Sequence, residues 1–120
     1  MKLARFLLTA VCSVALAVVA APAPALAYPP AACPFTNTLC LFDQPNYGGN
    51  RFTVSSITGG PVCVDLVAHG WGGRARSAIN THYQAADLYG GTDCTGSWMF
   101  MYGRTGYGSI WVYPNSVRVH

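Results

Sequence analysis

The sequence predicts an all-β domain, a sandwich of two four-stranded Greek-key motifs, and three observations carry that prediction. Short apolar runs alternate with turn residues at the spacing of a sandwich or barrel, no stretch shows convincing helical periodicity, and a segment of the first half recurs in the second. The recurrence is clearest at a turn. "LFDQPNYGGNRF" begins at Leu41 and "LYGGTDCTGSWM" begins at Leu88. In register, Phe42 falls on Tyr89, Tyr47 on Cys94, Gly49 on Gly96 and Phe52 on Met99. Farther on, "WGGRARSAIN" from Trp71 is echoed by "WVYPNSVRV" from Trp111, which sets Ser77 against Ser116. The duplicated unit is roughly 45 residues long. Two copies are too few for a solenoid but suit a sandwich to which each contributes one Greek key.

Taken in order, the first copy is expected to supply strands at Leu39–Asp43, Arg51–Ser55, Val62–Leu66 and Arg74–Asn80. The second should supply Ala86–Tyr89, Ser97–Tyr102, Ser109–Val112 and Ser116–Val119. Gly48-Gly49, Gly59-Gly60-Pro61, Gly72-Gly73, Gly90-Gly91 and the run from Gly103 to Gly108 mark the turns between them. "LVAHGWGG" allows one short helical turn that its glycines would end. Ahead of the first strand, "YPPAACPFTN" is proline-rich and aperiodic. It reads as an arm over residues 28–38, leaving 39–120 as the sandwich.

Residues 1–27 have the pattern of a secretory signal peptide. Lys2 and Arg5 form a positive start, Phe6 to Ala20 is almost wholly apolar, and Ala25-Leu26-Ala27 is a small-x-small cleavage site. A retained membrane anchor is the rival reading, but the apolar stretch is short for a span of ~20 residues and prolines follow it. Cys12 follows Val11 rather than a small residue, which argues against a lipid anchor. The expected product is a secreted, extracellular chain, residues 28–120, with no membrane attachment after cleavage.

That product has no Lys and no Glu, and its five Arg against four Asp leave about +1. The arginines are scattered, so no basic stripe suggests nucleic acid or an anionic membrane. Nothing in the sequence calls for more than a monomer. Four cysteines remain, Cys33, Cys40, Cys63 and Cys94, which in a short secreted chain predict two disulfides. Zinc is the rival, but the spacings contain no C-x-x-C pair. Four cysteines allow three pairings, and spacing alone does not choose among them.

Phe42-x4-Tyr47-x-Gly49 and Tyr89-x4-Cys94-x-Gly96, each followed by a strand carrying Ser77 or Ser116, resemble the βγ-crystallin Greek-key motif. In that motif the first hairpin folds back onto its sheet. A glycine supplies the positive φ of the turn, the aromatic covers the hairpin, and the serine hydrogen-bonds backbone that would otherwise be buried unsatisfied. Ser77 and Ser116 are therefore read as structural rather than nucleophilic. The opening "CPFTNTLCLF", the central "ARSAINTHYQAADLYGG" and the closing "NSVRV" are further similar to secreted bacterial metalloproteinase inhibitors of crystallin-like fold.

The resemblance implies a protease inhibitor whose partner is an extracellular protease, specifically a zinc metalloprotease, and implies no cofactor. It implies a reactive bond at a cysteine of the second-repeat loop, here Gly91, Thr92, Asp93, Cys94 and Thr95, followed in relatives by an apolar residue. Thr95 departs from that pattern, while Cys63-Val64 preserves a Cys-Val pair in the first repeat. Cys33–Cys40 matches the family's opening, and Cys63–Cys94 would then tie the two repeats together; the other pairings stay open. A stapled loop, already in the extended conformation that a cleft accepts, would lose little entropy on binding. The plainer alternative is that the second bridge only joins the Greek keys.

Other chemistries find less support. Asp43, Asp65, Asp87, Asp93, His69, His82 and His120 form no recognisable acid–base or metal signature, so no catalytic or metal-ligating residue is assigned. Microbial crystallin domains often bind calcium before the last strand of a motif, through acidic and hydroxyl side chains. In Gly72-Gly73-Arg74-Ala75-Arg76-Ser77 glycines replace the acids and Arg76 the hydroxyl; Val112 to Ser116 also lacks acids. The alternative function is a non-catalytic extracellular binding or structural domain, for a glycan or a cell surface. Trp71, Trp98, Trp111, Tyr102 and Tyr107 could serve it, with "MYGRTGYGS" as the exposed aromatic loop, although large rings in a sandwich are expected chiefly in its core.

Overall fold

A computed structural model describes Ser13 and residues 28–120 of the chain. Apart from Ser13, the expected signal segment lies outside the described residues. The described chain forms eight strands: β1 Leu39–Gln44, β2 Gly48–Val54, β3 Val62–Asp65, β4 Ser77–Asn80, β5 Ala86–Tyr89, β6 Trp98–Met101, β7 Thr105–Tyr107 and β8 Ser116–Val119. They make two four-stranded antiparallel sheets, ordered β2-β1-β4-β7 and β3-β8-β5-β6. Each repeat keeps three strands in one sheet and lends its third to the other: β3 joins the second sheet and β7 the first. This exchange makes the two Greek keys one sandwich.

Two expectations need correction. Arg74 to Arg76 lie in a turn, so β4 begins at Ser77. The seventh strand lies at Thr105–Tyr107, not Ser109–Val112. Ile110 and Val112 are buried while Trp111 and Tyr113 are exposed, so the segment alternates as a strand would. Among the described residues it has no ladder partner, and its backbone is linked to the preceding segment by a bond from the Ile110 N–H to the Arg76 carbonyl. "LVAHGWGG" does carry a single 3-10 turn, Val67–His69, closed by Gly70 in the left-handed region. A second one, Pro30–Ala32, lies within the arm.

The core fills the space between the sheets. Leu39, Leu41 and Ala78 face inward from one, and Ala86, Leu88, Met99, Met101 and Val117 from the other, with Leu66, Trp71 and Ile110 sealing the ends. Opposite residues of β1, Cys40 and Phe42, point to the far side of the first sheet. There they join Cys33 and Ile79 in a second cluster against which Tyr28, Ala32 and Tyr47 pack. The arm covers this face, pinned by the Cys33–Cys40 disulfide. β4 is accordingly buried at every position, as a strand covered on both faces must be. The outer face of the second sheet has no such cover, and β6 alternates exposed and buried.

At the first hairpin, Asn46, Tyr47 and Gly49 all have positive φ, at 54°, 65° and 75°. Only glycine fits the third position. A Cβ there would collide with the Asp43 carboxylate, which accepts bonds from the Asn50 N–H at 2.7 Å and Asn50 Nδ2 at 3.0 Å and pairs with Arg74 at 3.1 Å. Those bonds hold the Asp43 carboxyl below its ordinary value of 3.8, the Asn50 side chain contributing most.

Gly49→Ala should therefore destabilise the fold by about 2–3 kcal/mol, through left-handed strain and the carboxylate collision together. Urea unfolding measures it, and a loss within error of zero would contradict this account of the turn. Asp43 gives an acid signature. Because its folded pKa is depressed, its contribution is complete above 3.8 and is lost as pH falls through the folded value. Asp43→Asn should thus lower stability at neutral pH and shrink the difference from wild type at low pH, read as unfolding midpoint against pH.

Candidate functional site

The loop between β5 and β6 repeats the first hairpin's geometry. Asp93, Cys94 and Gly96 have φ of 57°, 53° and 85°, position for position the left-handed set of Asn46, Tyr47 and Gly49. The loop expected to be extended is therefore a compact turn at its centre. The physical reason is the fold-over itself: reversing a hairpin onto its own sheet within so few residues requires left-handed backbone.

Serine secures both turns identically. Ser77 Oγ accepts from the Tyr47 N–H at 2.9 Å and donates to the Gln44 carbonyl at 2.7 Å. Ser116 Oγ accepts from the Cys94 N–H at 2.9 Å and donates to the Gly91 carbonyl at 2.6 Å. Each serine is fully buried, and its hydroxyl uses both its donor and an acceptor position to satisfy backbone. The copies differ only above this frame. Tyr47 packs edge-on against Phe42, with ring centroids 5.8 Å apart. Burial raises the Tyr47 phenol pKa above its ordinary value. In place of Tyr47, Cys94 is bonded to Cys63, with Cα atoms 6.1 Å apart. Tyr89, which stands where Phe42 does, has the Arg118 guanidinium 5.8 Å over its ring.

Cys63 lies on β3 opposite Arg118 of β8, on the outer side of the second sheet, since Val64 packs toward the core. The bridge therefore pulls the β5–β6 loop across that face to the far edge strand. Gly90 donates its N–H to Ser97, Gly91 to Thr95, and Thr95 Oγ1 bonds the Thr92 carbonyl at 2.6 Å. Asn115, unremarked in the sequence, donates through Nδ2 to the Gly90 carbonyl at 2.7 Å and through its N–H to Tyr89. Its signal was its place directly before Ser116. The carbonyls of Gly90, Gly91, Thr92 and Thr95 are thus occupied, while those of Asp93 and Cys94 take no donor among the described residues. Thr92, Asp93 and Thr95 are exposed and Cys94 half-buried. By contrast, Cys63-Val64 is held in the β3–β8 ladder and cannot protrude.

The remaining candidates are scattered. His69 lies against Phe52, and His82 stacks on Tyr83. Among the described residues no three His, Cys, Asp or Glu side chains gather as metal ligands. Arg76, where a calcium-binding relative would carry a ligand hydroxyl, turns its guanidinium onto the Gly73 carbonyl at 2.7 Å and over the Tyr113 ring at 3.9 Å. The expectation that the tryptophans lie in the core holds for Trp71, 7% exposed, but not for Trp98 or Trp111, at 54% and 69%. Among the described residues, no helix is long and apolar enough to cross a membrane.

Two fold-over hairpins, each locked by a serine, in a sandwich whose motifs exchange their third strands define a βγ-crystallin fold. Solved structures agree. A βγ-crystallin from Ciona intestinalis superposes with a TM-score of 0.57 at 17% identity, covering 69% of this chain and 99% of the other. A point mutant of a βγ-crystallin domain from Clostridium beijerinckii gives 0.56 at 15% identity, covering 69% and 97%. Within that fold class the sequence is more particular: residues 27–101 match Peptidase inhibitor family I36, and the chain belongs to that family. No curated protein matches it significantly. The family gives the chain a protease as partner, and two disulfides suit the oxidising setting in which extracellular proteases work.

Removing the serine bridge should leave the Cys94 N–H and Gly91 carbonyl unpaired, so Ser116→Ala is expected to cost about 1–3 kcal/mol. The double variant Cys63→Ala/Cys94→Ala should cost about 3–4 kcal/mol, from the freed entropy of the unfolded chain. Equilibrium denaturation of both, with circular dichroism confirming a folded baseline, makes the comparison.

Proposed function

We propose that this protein inhibits an extracellular zinc metalloprotease by inserting the loop formed by Gly91, Thr92, Asp93, Cys94 and Thr95 into the enzyme's cleft. The observation that carries the reading is the pattern of used and unused backbone. The carbonyls of Gly90, Gly91, Thr92 and Thr95 are tied down, whereas those of Asp93 and Cys94, at the stapled tip, take no donor among the described residues. A carbonyl oxygen held rigidly in that way suits a zinc ion acting as a Lewis acid, with the exposed Thr92 and Asp93 side chains left to meet the enzyme's subsites. The tip enters as a preformed turn, and little conformational freedom remains to be lost.

The same frame would blunt hydrolysis. If the bond between Cys94 and Thr95 were cut, the new carboxyl end would stay attached through Cys63. The new amino end would be retained by the bond between the Gly91 N–H and the Thr95 carbonyl. Neither product end could diffuse away, so the cleaved bond would reform or release slowly. The inhibitor acts outside the cell as a monomer.

Titration of a thermolysin-type enzyme with the oxidised protein, residues 28–120, should give stoichiometric inhibition, and mass spectrometry should place any slow cut within residues 90–97. The folded Cys63→Ala/Cys94→Ala variant should inhibit at least tenfold more weakly and be degraded as a substrate. Inhibition of a subtilisin-type serine protease alone would overturn the zinc reading, and a cut elsewhere would overturn the loop.

A further inference from the structure

We propose a second binding site on the outer face of β6, a stacking row for a linear, uncharged, β-linked pyranose chain. β6 points Met99 and Met101 into the core and Trp98 and Phe100 outward, and Tyr102 continues the row just past the strand. The three rings are 54%, 41% and 65% exposed, at the open edge of the second sheet. Phe100 crosses its neighbours at 76° and 87°, with centroids 6.3 Å from Trp98 and 4.9 Å from Tyr102. It is wedged between them as a spacer, leaving the two more exposed rings as stacking positions. The indole is already oriented: Trp98 Nε1 donates to Asp87 Oδ1 at 2.9 Å. A fixed aromatic row of this kind, left in water beside a well-filled core, marks an interaction site rather than incidental exposure.

Several features select the occupant. Phe100 is in register with Asp87 on β5, and Asp87 with Arg118 on β8. Beside the rings the charges are one carboxylate, Asp87, and one guanidinium, Arg118, and Asp65 adds a second carboxylate farther along the same face, a setting that suits an uncharged polymer and disfavours a polyanion. Asp87 and Arg118 also provide an acceptor and donors beside the rings. That combination matches a pyranose whose hydroxyls are all equatorial, with C–H groups above and below the ring and hydroxyls around its rim. Area argues against a second copy of this chain. Three half-exposed rings supply on the order of 300 Å², well short of the roughly 800 Å² per partner in a stable interface. A narrow, straight row suits a narrow, straight ligand. The site is separate from the inhibitory loop and does not depend on it.

Calorimetry with cellohexaose and N-acetylchitohexaose tests the proposal, the two arms distinguishing plain from N-acetylated chains, with α-linked maltohexaose as the control. Binding of either β-linked hexaose in preference to maltohexaose is expected, weakened at least tenfold by Trp98→Ala and by Tyr102→Ala. Trp98→Phe, which keeps a ring, should retain most of the affinity. Protease inhibition should be unchanged in all three, so that failure of either function is seen apart from the other. Tyr102 lies outside any strand and serves as the informative variant if Trp98→Ala does not fold. The proposal is overturned by the absence of heat with both β-linked hexaoses, by binding that both alanine variants retain, or by sedimentation showing self-association that requires Trp98.

Discussion

A serine hydroxyl placed beneath a folded-over hairpin is the interaction on which the rest of this structure depends. Folding a hairpin onto its own sheet takes backbone groups away from water and from the ladder, and a buried unpaired amide or carbonyl is costly. Ser77 and Ser116 each satisfy one of both kinds. Once that is achieved, the left-handed residues of the turn are tolerable and the hairpin can seal its sheet's outer side. Short strands of three to seven residues then suffice, because the β1–β2 and β5–β6 hairpins are fastened at their turns as well as along their ladders.

Above this shared frame the two copies have diverged in a consistent direction. The first keeps its aromatic corner, Phe42 against Tyr47, and adds the arm with its own disulfide, so its sheet is covered on both faces. The second gives up the corner. Cys94 replaces the ring, the covalent bond to Cys63 replaces ring packing, and the outer side of β6, beyond the folded loop, remains open. Stability has been concentrated on one side of the sandwich and accessible chemistry on the other. A small domain with a modest core can support such an open face because two staples reduce the entropy of its unfolded chain.

How much of this could be read beforehand follows the physics of each element. The duplication was legible because the fold-over turn accepts few residue types, so Gly49 and Gly96, and Ser77 and Ser116, recur at matching positions. Of the two disulfides, Cys33–Cys40 followed from the resemblance and Cys63–Cys94 was the pairing chosen with it while the others stayed open; both agree with the structure. β7 was misplaced because its identity comes from its neighbours. Gly106 must lie under Tyr28 and Tyr47, where a Cβ would come within 2.6 Å of both, so the strand is poor in β-forming residues. The segment after it has the alternation of a strand without a partner. The loop's left-handed tip was hidden by Asp93 and Cys94, neither of which advertises positive φ as glycine does. The outward row on β6 was obscured in the same way, since period-two alternation shows that a strand has two faces but not which aromatic face lacks a cover.

The covered first sheet also gives the molecule a front and a back. Tyr28 packs with the arm behind the first sheet, next to Tyr47 and Gly106, while the stapled loop and the aromatic row occupy the outer face of the second. A fusion partner joined ahead of Tyr28 would therefore emerge behind the sandwich, leaving both proposed contact surfaces unobstructed. Tethered through that end to a bead, a sensor chip or another domain, the protein would present its open face outward without any engineering of orientation.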